Sequence, residues 1–416
     1  MVKDSHHRIP IFSSLFLKEG YTSYVANYLS LKGGVNYMRA VTYQGTKKIE
    51  VKDVKDPEIE NREEIIVKIT STAICGSDLH IYQGNMPTRP GFIIGHEPMG
   101  IVEETGPDVT KVKKGDRVVL PFNVSCGHCF YCENEMESQC DNSNHAPHTD
   151  AGGLFGYTEQ FGNHPGGQAE FLKVPYGNFM PLVIPESCEL EDEALLFLSD
   201  VIPTAWWSLD NAGMKAGDTV VVLGSGPVGL MTQKLAWVRG AKRVIAVDPE
   251  LYRLNRAKLS NKVETILLKD PTETGKYIYE ITNGGADVVI DCVGIDGKKS
   301  SIEKIEQKLM IQGGTLSAIK VAKEAVRKFG VVQLTGVYPM NYNQFPMGDF
   351  FTRNVTLKTG QAPVIHYMPE LFQMIVDQKF DPTDIITHRL SLEHAADAYH
   401  LFNEHLDDCV KVVLKP

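Results

Sequence analysis

The chain has no apolar run approaching the roughly 18 residues that a membrane-spanning helix needs, so no span through a bilayer is expected. It also has no excess of positive charge. Its 42 Lys and Arg stand against 52 Asp and Glu, a formal net charge of -10, so neither nucleic acid nor an anionic membrane would attract it electrostatically. Internal repeats and low-complexity linkers are missing too, which argues against a repeat array. Cysteine is too sparse for a disulfide scaffold, with 8 in 416 residues, so a packed core rather than crosslinks must hold the fold. Residues 9–17 (IPIFSSLFL) resemble the apolar part of a signal peptide. Lys18 and Glu19 follow, however, without a small-residue cleavage site, and the expectation is an acidic cytoplasmic protein.

What is present fits a two-domain soluble protein. The chain is longer than one core usually serves, and 43% hydrophobic with 23% charged residues is ordinary for a globular fold. Its start is unusual. Lys32-Gly33-Gly34-Val35-Asn36-Tyr37 precedes an internal Met38, and codons for Lys-Gly-Gly can spell a bacterial ribosome-binding sequence. Residues 1–37 are therefore expected to be an N-terminal extension, either translated leader ahead of a true start at Met38 or an arm that docks on the body or another subunit.

Four of the cysteines, Cys126, Cys129, Cys132 and Cys140, form the run C-x2-C-x2-C-x7-C. Four thiolates at this spacing can close a tetrahedral shell around one zinc ion and leave no position open, which describes a structural rather than a catalytic site. Upstream lie C-G-S-D-x-H (Cys75 to His80) and G-H-E (Gly95 to Glu97).

Short apolar alternations at residues 39–43, 64–72, 100–104 and 117–120 read as an all-β region. The pattern then changes. A continuous apolar run at 220–223 ends in G-S-G-P-V-G (Gly224 to Gly229), helical spacing fills 227–237, and a second apolar run occupies 244–247. Strand, glycine turn, helix and strand make a βαβ unit of a parallel sheet. Further strands are expected at 287–292 and 331–337. The last sixty residues should hold a helix (368–378), a strand (386–390), a helix (392–403) and a terminal strand (410–414).

In the glycine turn, Gly224 permits the tight bend, Gly226 lets backbone approach a pyrophosphate, and Gly229 allows close helix packing. Pro227 opens the helix. Asp248 ends the next strand nineteen residues after Gly229, where a carboxylate accepts hydrogen bonds from the adenosine ribose hydroxyls and repels a 2'-phosphate. NAD is therefore expected rather than NADP, with Arg253 flanking the adenine.

Taken together, Cys75, Asp78, His96, Glu97 and Asp200 resemble the pattern of the zinc-dependent medium-chain alcohol dehydrogenase superfamily, from Met38 to Pro416. The resemblance implies an α/β fold with a GroES-like β-rich catalytic domain (38–202, with the zinc lobe at 126–140), a Rossmann doubly wound parallel-sheet NAD-binding domain (203–357), and a return to the catalytic domain (358–416). It implies that Cys75, His96 and Asp200 hold a catalytic zinc, giving two zinc ions per subunit. Glu170 is the rival third ligand. Glu97 matches the carboxylate that can approach or replace zinc-bound water, Asp78 orients His96, and Ser77 and His80 carry a proton relay. Thr204 and Val228 contact the nicotinamide, while Trp206 and Trp207 pack the helix. A homodimer or homotetramer is implied as well.

Asp200 stands where many relatives have cysteine. With G-G-Q-A-E-F (Gly166 to Phe171), V-P-Y (Val174 to Tyr176) and T-G-Q-A-P-V (Thr359 to Val364), it resembles the glutathione-independent formaldehyde dehydrogenase branch. The segment between Gly294 and Gly336 is longer than in plain alcohol dehydrogenases and shorter than that branch's insertion. The expected activity is hydride transfer on a small alcohol or aldehyde hydrate, including formaldehyde oxidation or aldehyde dismutation. The alternatives are a general alcohol or polyol dehydrogenase, and a non-catalytic nucleotide-binding redox sensor.

Overall fold

The computed structural model describes residues 36–146, 150–294, 315–338 and 345–416. Residues 1–35 of the leader or arm, and residues 295–314 of the segment between Gly294 and Gly336, lie outside those residues. From Met38 onward the chain forms one compact unit.

Strand β1 (Tyr37–Gly45) pairs with β2 (Lys48–Lys55) as a hairpin. β3 (Ile65–Ile74) is the spine of the main β region, since Ile65, Val67, Ile69, Ala73 and Ile74 are all buried. Helix α1 (Gly76–Tyr82) follows it directly. β4 (Glu97–Thr105) then returns antiparallel, with register running from Ile65↔Thr105 to Ala73↔Glu97. This puts the residues after β3 and before β4 at one end of the sheet. β5 (Arg117–Val119), the small β6 (Asn123–Val124) and β7 (Gly153–Leu154) pair, β8 (Phe171–Val174) and β9 (Leu182–Ile184) complete the region.

Helix α2 (Val201–Asn211) leads into a second sheet. There β10 (Thr219–Leu223), α3 (Pro227–Val238), β11 (Arg243–Asp248), α4 (Leu251–Asn261), β12 (Glu264–Leu267), α5 (Pro271–Ile281), β13 (Ala286–Asp291), α6 (Ser317–Ala325), β14 (Val326–Leu334) and β15 (Thr356–Thr359) alternate. Strand order is β12-β11-β10-β13-β14-β15 and every pairing is parallel. This is the doubly wound order, whose switch point between β10 and β13 opens a crevice at the strand C-termini. The apolar run Val220, Val221, Val222 and Leu223 is buried because helices cover both sheet faces.

After β15 the chain forms α7 (Met368–Val376) and β16 (His388–Ser391), then α8 (Ala395–Asn403) and β17 (Val412–Lys415). β17 joins β3 antiparallel, so the C-terminal strands extend the first sheet in the order β16-β17-β3-β4-β5-β9, with β8 also on β3. One core cluster reaches from Ala73 and Phe197 in the β region to Val220, Leu230 and Val288 in the parallel sheet. Among the described residues no helix is long and apolar enough to cross a membrane. The expected strand at 331–337 begins earlier and ends at Leu334, because the Thr335 and Gly336 N–H groups turn back onto the Asp291 carbonyl.

Candidate active site

Cys75 caps α1, His96 directly precedes β4 and Glu97 opens it, and Asp200 precedes α2. Sheet register and the approach of α2 bring them together from three parts of the chain. Their ligand atoms all lie within 4.8 Å of one another, and all four residues are buried. Cys75 Sγ is 3.5 Å and His96 Nε2 3.3 Å from Asp200 Oδ2. Behind the imidazole, His96 Nδ1 meets Asp78 Oδ1 at 2.9 Å, while Asp78 Oδ2 accepts the Cys75 N–H at 2.9 Å. That second oxygen also faces Gln168, whose carbonyl accepts the Tyr399 hydroxyl at 2.9 Å. The Thr204 hydroxyl donates to Asp200 Oδ1 at 2.7 Å, which leaves Oδ2 on the Cys75 and His96 side.

Burial and charge compete at this cluster. Burial, and then the Asp200 and Glu97 carboxylates, push the Cys75 thiol up. Burial would raise Asp200 as well, but the hydrogen bond and charge of His96 hold it below the usual carboxylate range. Glu97 Oε1 accepts from Lys411 Nζ at 2.5 Å, with both side chains fully buried. Burial alone would lower Lys411, and the carboxylate outweighs that and raises it. Glu97 Oε2 has no hydrogen-bond partner among the described residues. A thiolate, an imidazole and a carboxylate oxygen, with a second carboxylate beside them, form a donor set suited to zinc, and three such ligands leave a position open.

One cleft of about 860 Å³ is lined both by Cys75, Ser77, His80, His96, Asp200 and Thr204 and by Gly224, Gly226, Pro227, Val228, Asp248 and Arg253. Such a volume suits a cofactor with a small substrate. Gly224 has φ +92°, and a Cβ on Gly229 would meet the Gly224 carbonyl at 2.0 Å, so the turn and α3 can approach this closely only without side chains. Gly226 caps α3 and Pro227, which has no N–H to leave unpaired, begins it, so the helix N-terminus lies at the cleft. Asp248 is 1% exposed. Its oxygens accept the Ser225 N–H at 2.7 Å and the Glu250 N–H at 2.8 Å, which fixes the carboxylate at the end of β11. Arg253 lies over the Tyr252 ring at 5.6 Å and donates to its hydroxyl at 2.9 Å.

The four cysteines of the lobe likewise converge within 4.8 Å. Two of the sulfur pairs, Cys126 with Cys132 and Cys129 with Cys140, are each 3.9 Å apart. Legs of ~2.3 Å around zinc imply edges of about 3.8 Å, far from a disulfide of ~2.05 Å. All eight cysteines are free thiols. N–H groups of Cys126, His128 and the Asn142 amide point at these sulfurs. Burial would raise the half-exposed Cys129, but backbone N–H groups of Cys132 and Asp141 bring it down to about 7.

Three further placements matter. Glu170, the rival ligand, is not in the cluster; its Oε2 accepts the Arg39 N–H at 2.7 Å, beside an isolated antiparallel bridge between Ala40 and Ala169. Ser77 Oγ lies 3.2 Å from His96 Nε2, and His80 is buried on the same helix. Trp206 is covered by Arg239, while Trp207 backs Ala362 and Val364 at the cleft wall. Sequence reasoning missed Lys411 and the aromatic walls. The Phe122 and Tyr157 rings stand edge-on to His96, both at 6.2 Å. A lysine between Val410 and Val412, both fully buried, was the available signal for Lys411.

Residues 61–186 match the alcohol dehydrogenase GroES-like domain family, and residues 227–311 the zinc-binding dehydrogenase family. The chain is 56% identical over 380 residues to the zinc-type alcohol dehydrogenase-like protein AdhB of Bacillus subtilis, covering 91% of this chain and 100% of that protein. It is 31% identical to the glutathione-independent formaldehyde dehydrogenase of Pseudomonas aeruginosa, covering 88% and 94%. Among solved structures, alcohol dehydrogenase TADH from Thermus sp. ATN1 superposes with a TM-score of 0.78 at 32% identity, covering 91% of this chain and 99% of that one.

Proposed function

Since the chain belongs to the zinc-dependent medium-chain alcohol dehydrogenase superfamily and is an oxidoreductase, we propose that it oxidises a small alcohol or aldehyde hydrate with NAD and without glutathione. Formaldehyde oxidation to formate is the narrow form, with aldehyde dismutation if NAD is retained. The observation that carries the reading is the shared cleft, in which the Cys75, His96 and Asp200 cluster and the glycine turn line one space.

Zinc held by Cys75, His96 and Asp200 would supply Lewis acidity to a substrate oxygen, and NAD would take up the hydride. The chain's own groups have separate tasks. Asp78 fixes the His96 ring through Nδ1, leaving Nε2 for the metal side. Thr204 holds one oxygen of Asp200 so that the other serves as ligand. The nearness of Ser77 Oγ to His96 Nε2 supports a role in accepting the substrate hydroxyl proton, with His80 on the same helix as its next carrier. Lys411 donates to Glu97 in a dry site and opposes the rise that burial imposes on its carboxyl. Asp248 favours NAD because its carboxylate would repel a 2'-phosphate, and Val228 borders the nicotinamide end. Cys126, Cys129, Cys132 and Cys140 would hold the second zinc, in a closed site. The active assembly is a homodimer or homotetramer, and the domains divide at 38–202, 203–357 and 358–416.

The test is NADH formation with formaldehyde, ethanol, sorbitol and threonine, each without glutathione. Formaldehyde turnover supports the narrow form. A general alcohol dehydrogenase is the second reading, favoured by the apolar Phe122 and Tyr157 walls, and ethanol turnover without formaldehyde activity would select it. Turnover of sorbitol alone would contradict both.

A further inference from the structure

Glu137 is a buried carboxylate that the reaction does not use. It lies between Cys132 and Cys140 in the four-cysteine lobe, with its side chain 1% exposed. Oε1 accepts the His366 backbone N–H at 2.8 Å and faces His366 Nδ1 at 3.0 Å, and Oε2 is 3.3 Å from the same nitrogen. His366 ends a segment whose beginning, residues 359–362, lines the cleft shared by the cluster and the glycine turn. The middle of that segment is held from the same side, because the Val364 N–H donates to Asn123 Oδ1 at 3.3 Å, three residues before Cys126. The cleft wall is thus fastened at two points to the base and turn of the lobe.

A carboxylate withdrawn from water is costly unless its donors stay in place, and its bonds to N–H groups are charge-assisted. His366 must therefore follow Glu137, and Glu137 sits in a loop whose shape the cysteines fix on both sides. We propose that Glu137 and His366 are positioning residues that make the four-cysteine lobe a brace for the cleft wall at 359–362, so that the lobe's order sets affinity for the nicotinamide cofactor as well as stability. This rests on the nicotinamide-dependent reading above.

The test is NADH binding by fluorescence titration well below the melting temperature, with zinc counted in each variant. Glu137→Ala should weaken NADH about tenfold while zinc content stays at the wild-type value. Glu137→Gln, whose amide oxygen still accepts the His366 N–H, should recover most of that loss, a rescue that a bare packing role would not give. NADH affinity unchanged in Glu137→Ala overturns the brace. If Glu137→Ala does not fold, His366→Ala keeps the backbone bond and loses the imidazole. It should weaken NADH about threefold, and no change there overturns the proposal as well. A wild-type protein that binds no NADH at all would overturn the functional reading instead.

Discussion

The two cysteine-bearing clusters differ in how the chain builds them. The lobe gathers four identical thiols from residues 126–140, and its geometry is a local loop. The Cys75, His96, Glu97 and Asp200 cluster spans 125 residues between Cys75 and Asp200 and mixes sulfur, nitrogen and oxygen. It exists only because β3, β4 and α2 meet, and it is buried with a lysine as counter-charge. A closed shell of thiolates can stabilise but offers substrate no position, whereas three mixed ligands at the wall of a cleft can. Local spacing makes structure here, and long-range packing makes chemistry.

Removing one candidate ligand from each cluster separates the two roles. Asp200→Ala should reduce NADH formation by about 10³-fold or more and remove one zinc, with little change in melting temperature. Unaltered turnover would move the third ligand elsewhere. Lys411→Met leaves the Glu97 charge buried without its partner and should cost about 3–5 kcal/mol in denaturant unfolding, with Lys411→Arg recovering part. A stability equal to wild type would mean that Glu97 has another means of compensation. Cys129→Ser should also lose one zinc, but with the opposite profile, a melting temperature lowered by several degrees and residual turnover. Unchanged zinc would defeat the four-cysteine assignment. The smallest effect belongs to the cofactor end, where Asp248→Ala should narrow the NAD over NADP preference in kcat/KM by about tenfold. A ratio equal to wild type would show that another group discriminates.

The two clusters also differ in how far the sequence exposed them. C-x2-C-x2-C-x7-C and G-S-G-P-V-G are local, so spacing alone points to their chemistry, and β10, α3 and β11 followed from apolar runs around the glycines. Asp200 could be ranked above Glu170 only through family resemblance, because the choice depends on the long-range bridge between Ala40 and Ala169, which carries Glu170 to the Arg39 backbone. Lys411 was overlooked since a lone lysine beside a strand reads as solvent-facing until its partner Glu97 is known to be buried 314 residues away. β2 was missed for a different reason. Its sequence KIEVKDVK is mostly half-buried or exposed and gives little apolar signal. β12 and β15, on the two edges of the parallel sheet, carry no fully buried position at all.

The two clusters together predict that one chain holds a closed metal site and an open one. Native mass spectrometry of the purified protein, with Asp200→Ala and Cys129→Ser alongside, tests it most directly. The expected result is two zinc ions per subunit in the wild type and one in each variant, with turnover lost in Asp200→Ala alone. Two zinc ions retained in either variant, or a wild type without zinc, would contradict it.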